Sequence, residues 1–405
     1  MTKLIIRSGV YTIGGTVVEL IKDQERLVFD FGTVFDPASD IEVNPKVEGI
    51  YDGTSEYNDH VFISHIHLDH VKAMNLIPNQ VPIYMHSDSI KFLNILETVK
   101  FDGLSGEFRP YTAIDQVATI GGFKVTPILV DHDVPGAVAF IFENEDITLV
   151  YTGDLRLHGR HPERTHNLIE MCKDLDVDVL ISEGVTISFI EDDFEIIASS
   201  EVTETEVQFG ERLETVIDKS KTQFFNPYIM GLERLQTIIE LANSCGKQVA
   251  LSPSSALIAK TYLDYENLYV LEQDCYDSGY PVINLDQIDS DWFIQFEYVN
   301  KDKLLPSMVG QELIQTGGEP LGAYDPRFGK LEAELEANNT KFIVEGLGGH
   351  ASPENLQFIC DAIGPKYTFP MHSFKPQLLT AKGSIQIVPE ENKEYIFENG
   401  KLQKT

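Results

Sequence analysis

Cysteine is scarce in this chain of 405 residues: the four present, Cys172, Cys245, Cys275 and Cys360, lie far apart with no C-x-x-C pair. That excludes a disulfide framework and a thiolate metal site, fits a reducing cytoplasm, and predicts four buried free thiols. No run approaches the ~18 consecutive apolar residues of a membrane span. The opening MTKLIIRSGVYTIGG has too short an apolar stretch for a signal peptide and reads as a strand. Positive charge is also short. Against 64 Asp and Glu stand 31 Lys and Arg, a net charge of −33. Such a chain repels phosphate backbones at long range and is no general nucleic-acid coat, although a local basic cleft depends on nearby charges more than on the total.

What is present is the composition of a globular protein, 42% hydrophobic and 23% charged. At roughly 150 residues per domain the length predicts two to three domains. The first third is strand-rich: Gly14-Gly15 leads into TVVELI, a Lys-Asp-Gln turn follows, and RLVFDFG completes a hairpin. Further on, apolar strands alternate with helical patterns, which predicts an α/β protein. From about residue 187 the chain turns acidic and takes up its own rhythm: QFFNPY as strand, GLERLQTIIELANSCGK as helix ending at Gly246, QVALSP as strand and SALIAKTYL as helix, a small βαβ-type lobe.

The polar residues fall at one kind of place. LVFDF carries Asp30; VFIS runs into HIHLDH, with His65, His67, Asp69 and His70; FKVTPILV ends in Asp131 and His132. ITLVYTGD ends in Asp154, DVLISEG in Glu183, KFIVEGLGGHA delivers His350 and KYTFPMHS delivers His372. Seven apolar strands thus each place a His, Asp or Glu at or beyond a carboxyl end, the edge where α/β sheets bind ligands. Imidazole and carboxylate are ordinary Zn²⁺ ligands. In an extended segment His65 and His67 point the same way, while Asp69 and His70, after the chain turns, face a second ion. A carboxylate such as Asp154 can bridge the two, and paired ions acidify water and stabilise entering and leaving oxygens.

HIHLDH, His132 and Asp154 in YTGD together resemble the metallo-β-lactamase superfamily. The continuation resembles its β-CASP branch, the ribonuclease J-like nucleases: Glu183, His350 in GLGGHASPENL and His372 in FPMHSF follow in order, and LIQTGGEP is similar to a turn of the β-CASP lobe. The resemblance implies an αββα sandwich built from 1–186 and 346–405, with a β-CASP-like lobe at 187–345. It also implies two Zn²⁺, with Mn²⁺ the alternative: His65, His67 and His132 on one, Asp69, His70 and His372 on the other, Asp154 between them. Asp30 then orients a ligand histidine, Asp69 takes the proton of the attacking water, His350 stabilises or protonates the scissile phosphate, and Glu183 orients a catalytic histidine. The implied activity is cleavage of phosphodiester bonds in RNA or single-stranded DNA by metal-activated water, by a protein that works without a membrane and as a homodimer.

Two features bear on substrate. Ribonuclease J-like chains read H-x-S-G-H before the motif histidine, and here Gly346 and Gly348 replace the His and the Ser. Backbone N–H groups of Gly348 and Gly349 can take over the phosphate contact, or the substrate is a small phosphoester, lactone or thioester. A metal-binding, inactive subunit of an assembly is a third class, against which the intact ligand set speaks. LRLHGRHPERTH, 155–166, is the most basic stretch, with Arg156, Arg160 and Arg164 among three histidines. It reads either as a phosphate guide, through Arg156 and Arg160, or as a solvated loop whose arginines pair with acids. Phe224, Phe225 and Tyr228 read as core in preference to a base-stacking platform.

Overall fold

The computed structural model of the chain describes residues 1–36, 41–101, 104, 109–272, 274–323 and 325–403. The chain divides into two compact units, Met1–Thr203 with Gly349–Thr405, and Glu204–Gly348. The acidic stretch is divided between them: 187–203 falls in the first unit, and the second begins at Glu204.

The first unit is built on two sheets. In one, Thr2–Ser8, Val17–Lys22 and Glu25–Phe29 run antiparallel, and Asn58–Phe62 and Ile83–Met85 continue in parallel. The expected hairpin closes with Lys22 opposite Glu25, and Asp23 takes the left-handed φ of 53° that the tight turn needs and Asp tolerates. In the other sheet Thr148–Tyr151, Val179–Glu183 and Tyr367–Met371 are parallel, with Val138–Glu143 and Phe123–Leu129 added antiparallel. Two antiparallel steps return Phe123–Leu129 to the direction of Thr148–Tyr151, so four strands of this sheet end at the same edge.

Period-two alternation makes the sandwich. Leu4 and Ile6, Val18 and Leu20, Leu27 and Phe29 of one sheet share a core with Phe140 and Phe142, Leu149 and Tyr151, Val179 and Ile181 of the other. Phe29 stacks on Phe142 with ring centroids 4.2 Å apart. Ser182, one residue out of phase with Ile181, faces the opposite side, where the Cys360 thiol lies 3.7 Å from its hydroxyl. Cys360 belongs to the helix Pro353–Ile363, which packs against the helix Pro162–Lys173. Ser352 caps the former, its Oγ accepting the Asn355 N–H at 3.2 Å, and Gly364 at φ 62° ends it.

The second unit is a different solution. Its strands, among them Gln223–Asn226, Gln248–Leu251, Trp292–Gln295 and Glu312–Gln315, are all parallel. Both faces are covered, so the strands read as continuous apolar runs rather than alternating ones. Phe225, Val249 and Phe293 join one core with Leu235, Ile238, Ile239 and Ala242 of the helix Leu232–Ser244; Phe224, Ala250 and Ile294 join the other with Leu331 and Leu335 of the helix Pro326–Ala337. Phe224 and Phe225 are therefore core, and Tyr228 is half-buried.

Candidate metal centre

The centre begins where the strand Asn58–Phe62 ends. The chain bends at Ser64, His67 is extended at φ −61° and ψ 145°, and the short helix Leu68–Val71 starts immediately after. His65 and His67 thus share a side while Ile66 is buried, and the helical turn redirects Asp69 and His70. Glycines let the backbone be seated this tightly. A Cβ on Gly32 would stand 1.5 Å from the Asp69 carbonyl oxygen, which also accepts the Gly15 N–H at 3.0 Å.

The side chains converge from several strand ends. His67 Nδ1 lies 3.1 Å from His65 Nε2 and 3.1 Å from His132 Nε2. Asp154 Oδ2 stands 3.5 Å from His65 Nε2, 3.3 Å from His70 Nε2 and 3.6 Å from His372 Nε2. Asp69 Oδ2 is 3.7 Å from His70 Nε2 and 3.6 Å from His372 Nε2. Three groups result that could hold a metal ion: His65, His67, His132 and Asp154; Asp69, His70 and His372; Asp154, Glu183 and His350. The donors fit a cation. Nε2 of His70 and of His372 are buried with no hydrogen bond among the described residues, and both aim at carboxylates, the nitrogen-and-oxygen set that divalent zinc or manganese accepts.

Outer contacts orient the rings. Asp30 accepts from His70 Nδ1 at 2.7 Å, from the Ser64 N–H and hydroxyl at 2.7 Å each, and from the Tyr151 hydroxyl. With Nδ1 so engaged, Nε2 is the nitrogen left to the centre. His132 Nδ1 donates to the Gly349 carbonyl at 2.7 Å and His65 Nδ1 is 3.0 Å from Ser64 Oγ, whereas His372 Nδ1 accepts the Gly14 N–H at 3.1 Å and lies 3.1 Å from Thr16 Oγ1. Asp30 and His372 hold φ of 56° and 55°, local strain of the kind that persists where surroundings over-determine a residue.

Electrostatics point the same way. Burial holds His65 and His372 below the usual imidazole range and His132 down to about 3, which keeps them neutral as ligands must be. Burial also opposes charge on His70, but Asp154, Asp69 and Asp30 outweigh it and raise the ring well above its usual range. A field that favours a proton there favours a metal cation too. For Asp154 burial again opposes ionisation, and His372, His70 and His65 together hold the carboxyl well below the usual range.

His350 flanks this cluster. Its Nδ1 is 3.1 and 3.2 Å from the two oxygens of Glu183 and 3.8 Å from Asp154 Oδ2. Glu183 is fixed by the Leu155 N–H at 3.0 Å and the Val185 N–H at 3.2 Å. Burial works against a charged His350, yet Glu183 raises it to about 10. His350 lies beyond the strand Lys341–Val344, which belongs to the parallel sheet of the second unit, within the expected lobe of 187–345, and it stands in the loop before Ser352. The other six strand ends belong to the first unit.

The remaining expected residues separate. Arg156 is buried, with Nε 3.4 Å from Asp131 Oδ1, and Asp131 Oδ2 also accepts the Gly159 N–H at 2.7 Å. The Arg156 charge also acts on Asp133, beside His132. Arg160 and Arg164 are half-buried, Gly348 is exposed, and Gly349 gives its carbonyl to His132. Cys275 is exposed, which corrects the expectation of four buried thiols; among the described residues all four are free. Sequence reasoning passed over Tyr151, Thr16 and Asp133. Asp133 Oδ1 lies 3.3 Å from His67 Nε2, and the only signal for it was its place directly after His132.

Residues 34–188 match the family described as the Beta-lactamase superfamily domain. Over 289 residues, 66% of this chain, the sequence is 22% identical to a probable RNase MJ4 of Methanocaldococcus jannaschii, and the match spans 63% of that relative's length. It is 20% identical to Ribonuclease J 2 of Streptococcus pyogenes serotype M3 over 407 residues, 91% of this chain and 69% of that protein. A crystal structure of a protein of unknown function from Enterococcus faecalis V583 superposes with a TM-score of 0.84 at 26% identity, over 98% of this chain and 99% of the other.

Proposed function

Because this chain carries a metallo-β-lactamase superfamily domain, we propose that it is a two-metal hydrolase that cleaves phosphodiester bonds of RNA or single-stranded DNA. The observation that carries the reading is Asp154 Oδ2 lying within 3.6 Å of the Nε2 atoms of His65, His70 and His372, of which those of His70 and His372 are buried with no hydrogen bond among the described residues. Distant similarity to two ribonucleases supports the substrate class. His65, His67 and His132 would hold one ion and Asp69, His70 and His372 the other, with Asp154 within reach of both groups. Bound divalent ions supply Lewis acidity, which lowers the pKa of water and offsets charge on the phosphoryl group.

The chain's own groups do the rest. Asp69, whose side chain keeps 35% of its surface exposed, accepts the proton of the attacking water. His350 is anchored through Nδ1 on Glu183, so Nε2 is the nitrogen presented to the scissile phosphate, where it stabilises developing charge or gives a proton to the leaving oxygen. Glu183, held by two backbone N–H groups, keeps that ring in place. Hydrolysis of a small phosphoester, lactone or thioester is the second reading, favoured by one observation: Gly346 and Gly348 offer no side chain to a phosphate before His350.

The test combines elemental analysis with turnover of a 5′-phosphorylated RNA oligonucleotide and a bis-phosphodiester dye ester. The expected result is about two metals per chain and RNA cleavage. His350→Ala is expected to keep its metal and lose on the order of a hundredfold or more in rate. Dye-ester turnover without RNA cleavage would favour the small substrate, and a protein that takes up no metal on reconstitution would overturn the site.

A further inference from the structure

The ring of His67 is turned relative to its neighbours. His65 and His132 direct Nε2 to the cluster and have Nδ1 engaged by Ser64 Oγ and the Gly349 carbonyl. His67 directs Nδ1 inward, 3.1 Å from the Nε2 atoms of both. For Nδ1 to carry the lone pair, the proton must sit on Nε2 and be taken by an acceptor.

Asp133 Oδ1 stands 3.3 Å from that Nε2. Oδ1 is buried, and at 3.3 Å the pair is within reach but does not yet meet hydrogen-bond geometry, so a small turn of the ring or carboxylate closes it. Oδ1 is also 3.5 Å from His132 Nε2, but that ring's proton is on the Nδ1 facing the Gly349 carbonyl, so His67 has the N–H to give. Gly349 sets the carboxylate in place: a Cβ there would lie 2.9 Å from Oδ2 and 3.0 Å from both Cγ and Oδ1. A larger residue there would press on the carboxylate and shift it. We infer that Asp133 is a positioning residue that accepts the Nε2–H of His67 and so turns Nδ1 into the metal-binding atom, with Gly349 as its seat. The inference rests on the metal centre proposed above, and not on the substrate.

Two measurements test it without substrate. In the metal-free protein labelled with ¹⁵N-histidine, the His67 ring, assigned by its loss in His67→Gln, is expected as the Nε2–H tautomer. Asp133→Ala is expected to shift it toward Nδ1–H, and Asp133→Asn, which keeps an acceptor oxygen, to restore it. In competition with a chromophoric zinc chelator, Asp133→Ala is expected to bind its metal roughly 10–100-fold more weakly, with Asp133→Asn close to wild type. A wild-type ring already in the Nδ1–H form, or unchanged zinc affinity in Asp133→Ala, would overturn the inference. So would an equal loss in Ala and Asn variants, which would make Asp133 a ligand itself. Absence of RNA cleavage alongside the expected tautomer and affinities would overturn the nuclease reading alone, whereas a wild-type protein that binds no zinc would overturn the centre and this inference together.

Discussion

At the scale of single residues, the surroundings decide what a side chain can do. Arg156, the first basic group after Asp154, is buried beside Asp131, and its charge acts on Asp133 as well. The cysteines divide by the same rule. Burial pushes the Cys172 and Cys360 thiols up to about 12, whereas Cys275 is exposed. A thiol of raised pKa is protonated below that value and unreactive, since the thiolate is the nucleophile. In the native protein a chromogenic disulfide reagent is expected to titrate one thiol quickly, removed by Cys275→Ser, and four in denaturant. Raising the pH to about 9 should leave Cys172 and Cys360 silent, because their thiols stay protonated there. Fast reaction of three or four native thiols would contradict the burial. The HIHLDH residues were legible because they crowd into six positions behind an apolar strand. Thr16, Tyr151 and Asp133 were not, because their partners are set by folding: Thr16 meets His372 across 356 positions, and His132 meets Gly349 across 217.

At the scale of elements, the centre depends on how closely the turn 67–71 is pressed onto its neighbours. The Asp69 carbonyl accepts from Gly15, the His70 carbonyl accepts the Phe31 N–H at 2.7 Å, and the Cα of Gly32 occupies the space between. A methyl at Gly32 has no space, and what it meets is backbone, which cannot rotate aside. Gly32→Ala is therefore expected to displace the turn carrying Asp69 and His70, to cost on the order of 2–3 kcal/mol and to lower metal content. Calorimetry with elemental analysis checks both, and a stable, fully metallated Gly32→Ala would show that the turn yields cheaply. Strands and helices were legible where periodicity was strong, as in Val17–Lys22 and Leu232–Ser244. Lys341–Val344 has the apolar pattern of the other strands, and its place in the lobe came from the resemblance and not from any local signal; it pairs with Glu312–Gln315.

At the scale of the whole molecule, negative charge is gathered where water is excluded. Asp30, Asp131, Asp154 and Glu183 are all buried in the first unit, in a chain already at −33. Buried carboxylates need partners, and His70 and His350, held in their charged forms by these acids, answer only part of that need. A divalent cation answers it more fully, so metal should bind the folded first unit far better than its unfolded chain. At free metal a thousandfold above the dissociation constant, that linkage is worth about 4 kcal/mol. At roughly 2–4 °C per kcal/mol for a unit of this size, chelation is expected to lower the melting of the first unit by on the order of 10 °C. The second unit has its own two cores and none of these ligands, so its melting should be indifferent to chelation. Calorimetry of the full chain with and without chelator separates the outcomes. One transition that moves and one that stays is the expected result; two that move together would mean that the units unfold as one, and none that moves would mean that the buried acids are stabilised without a metal.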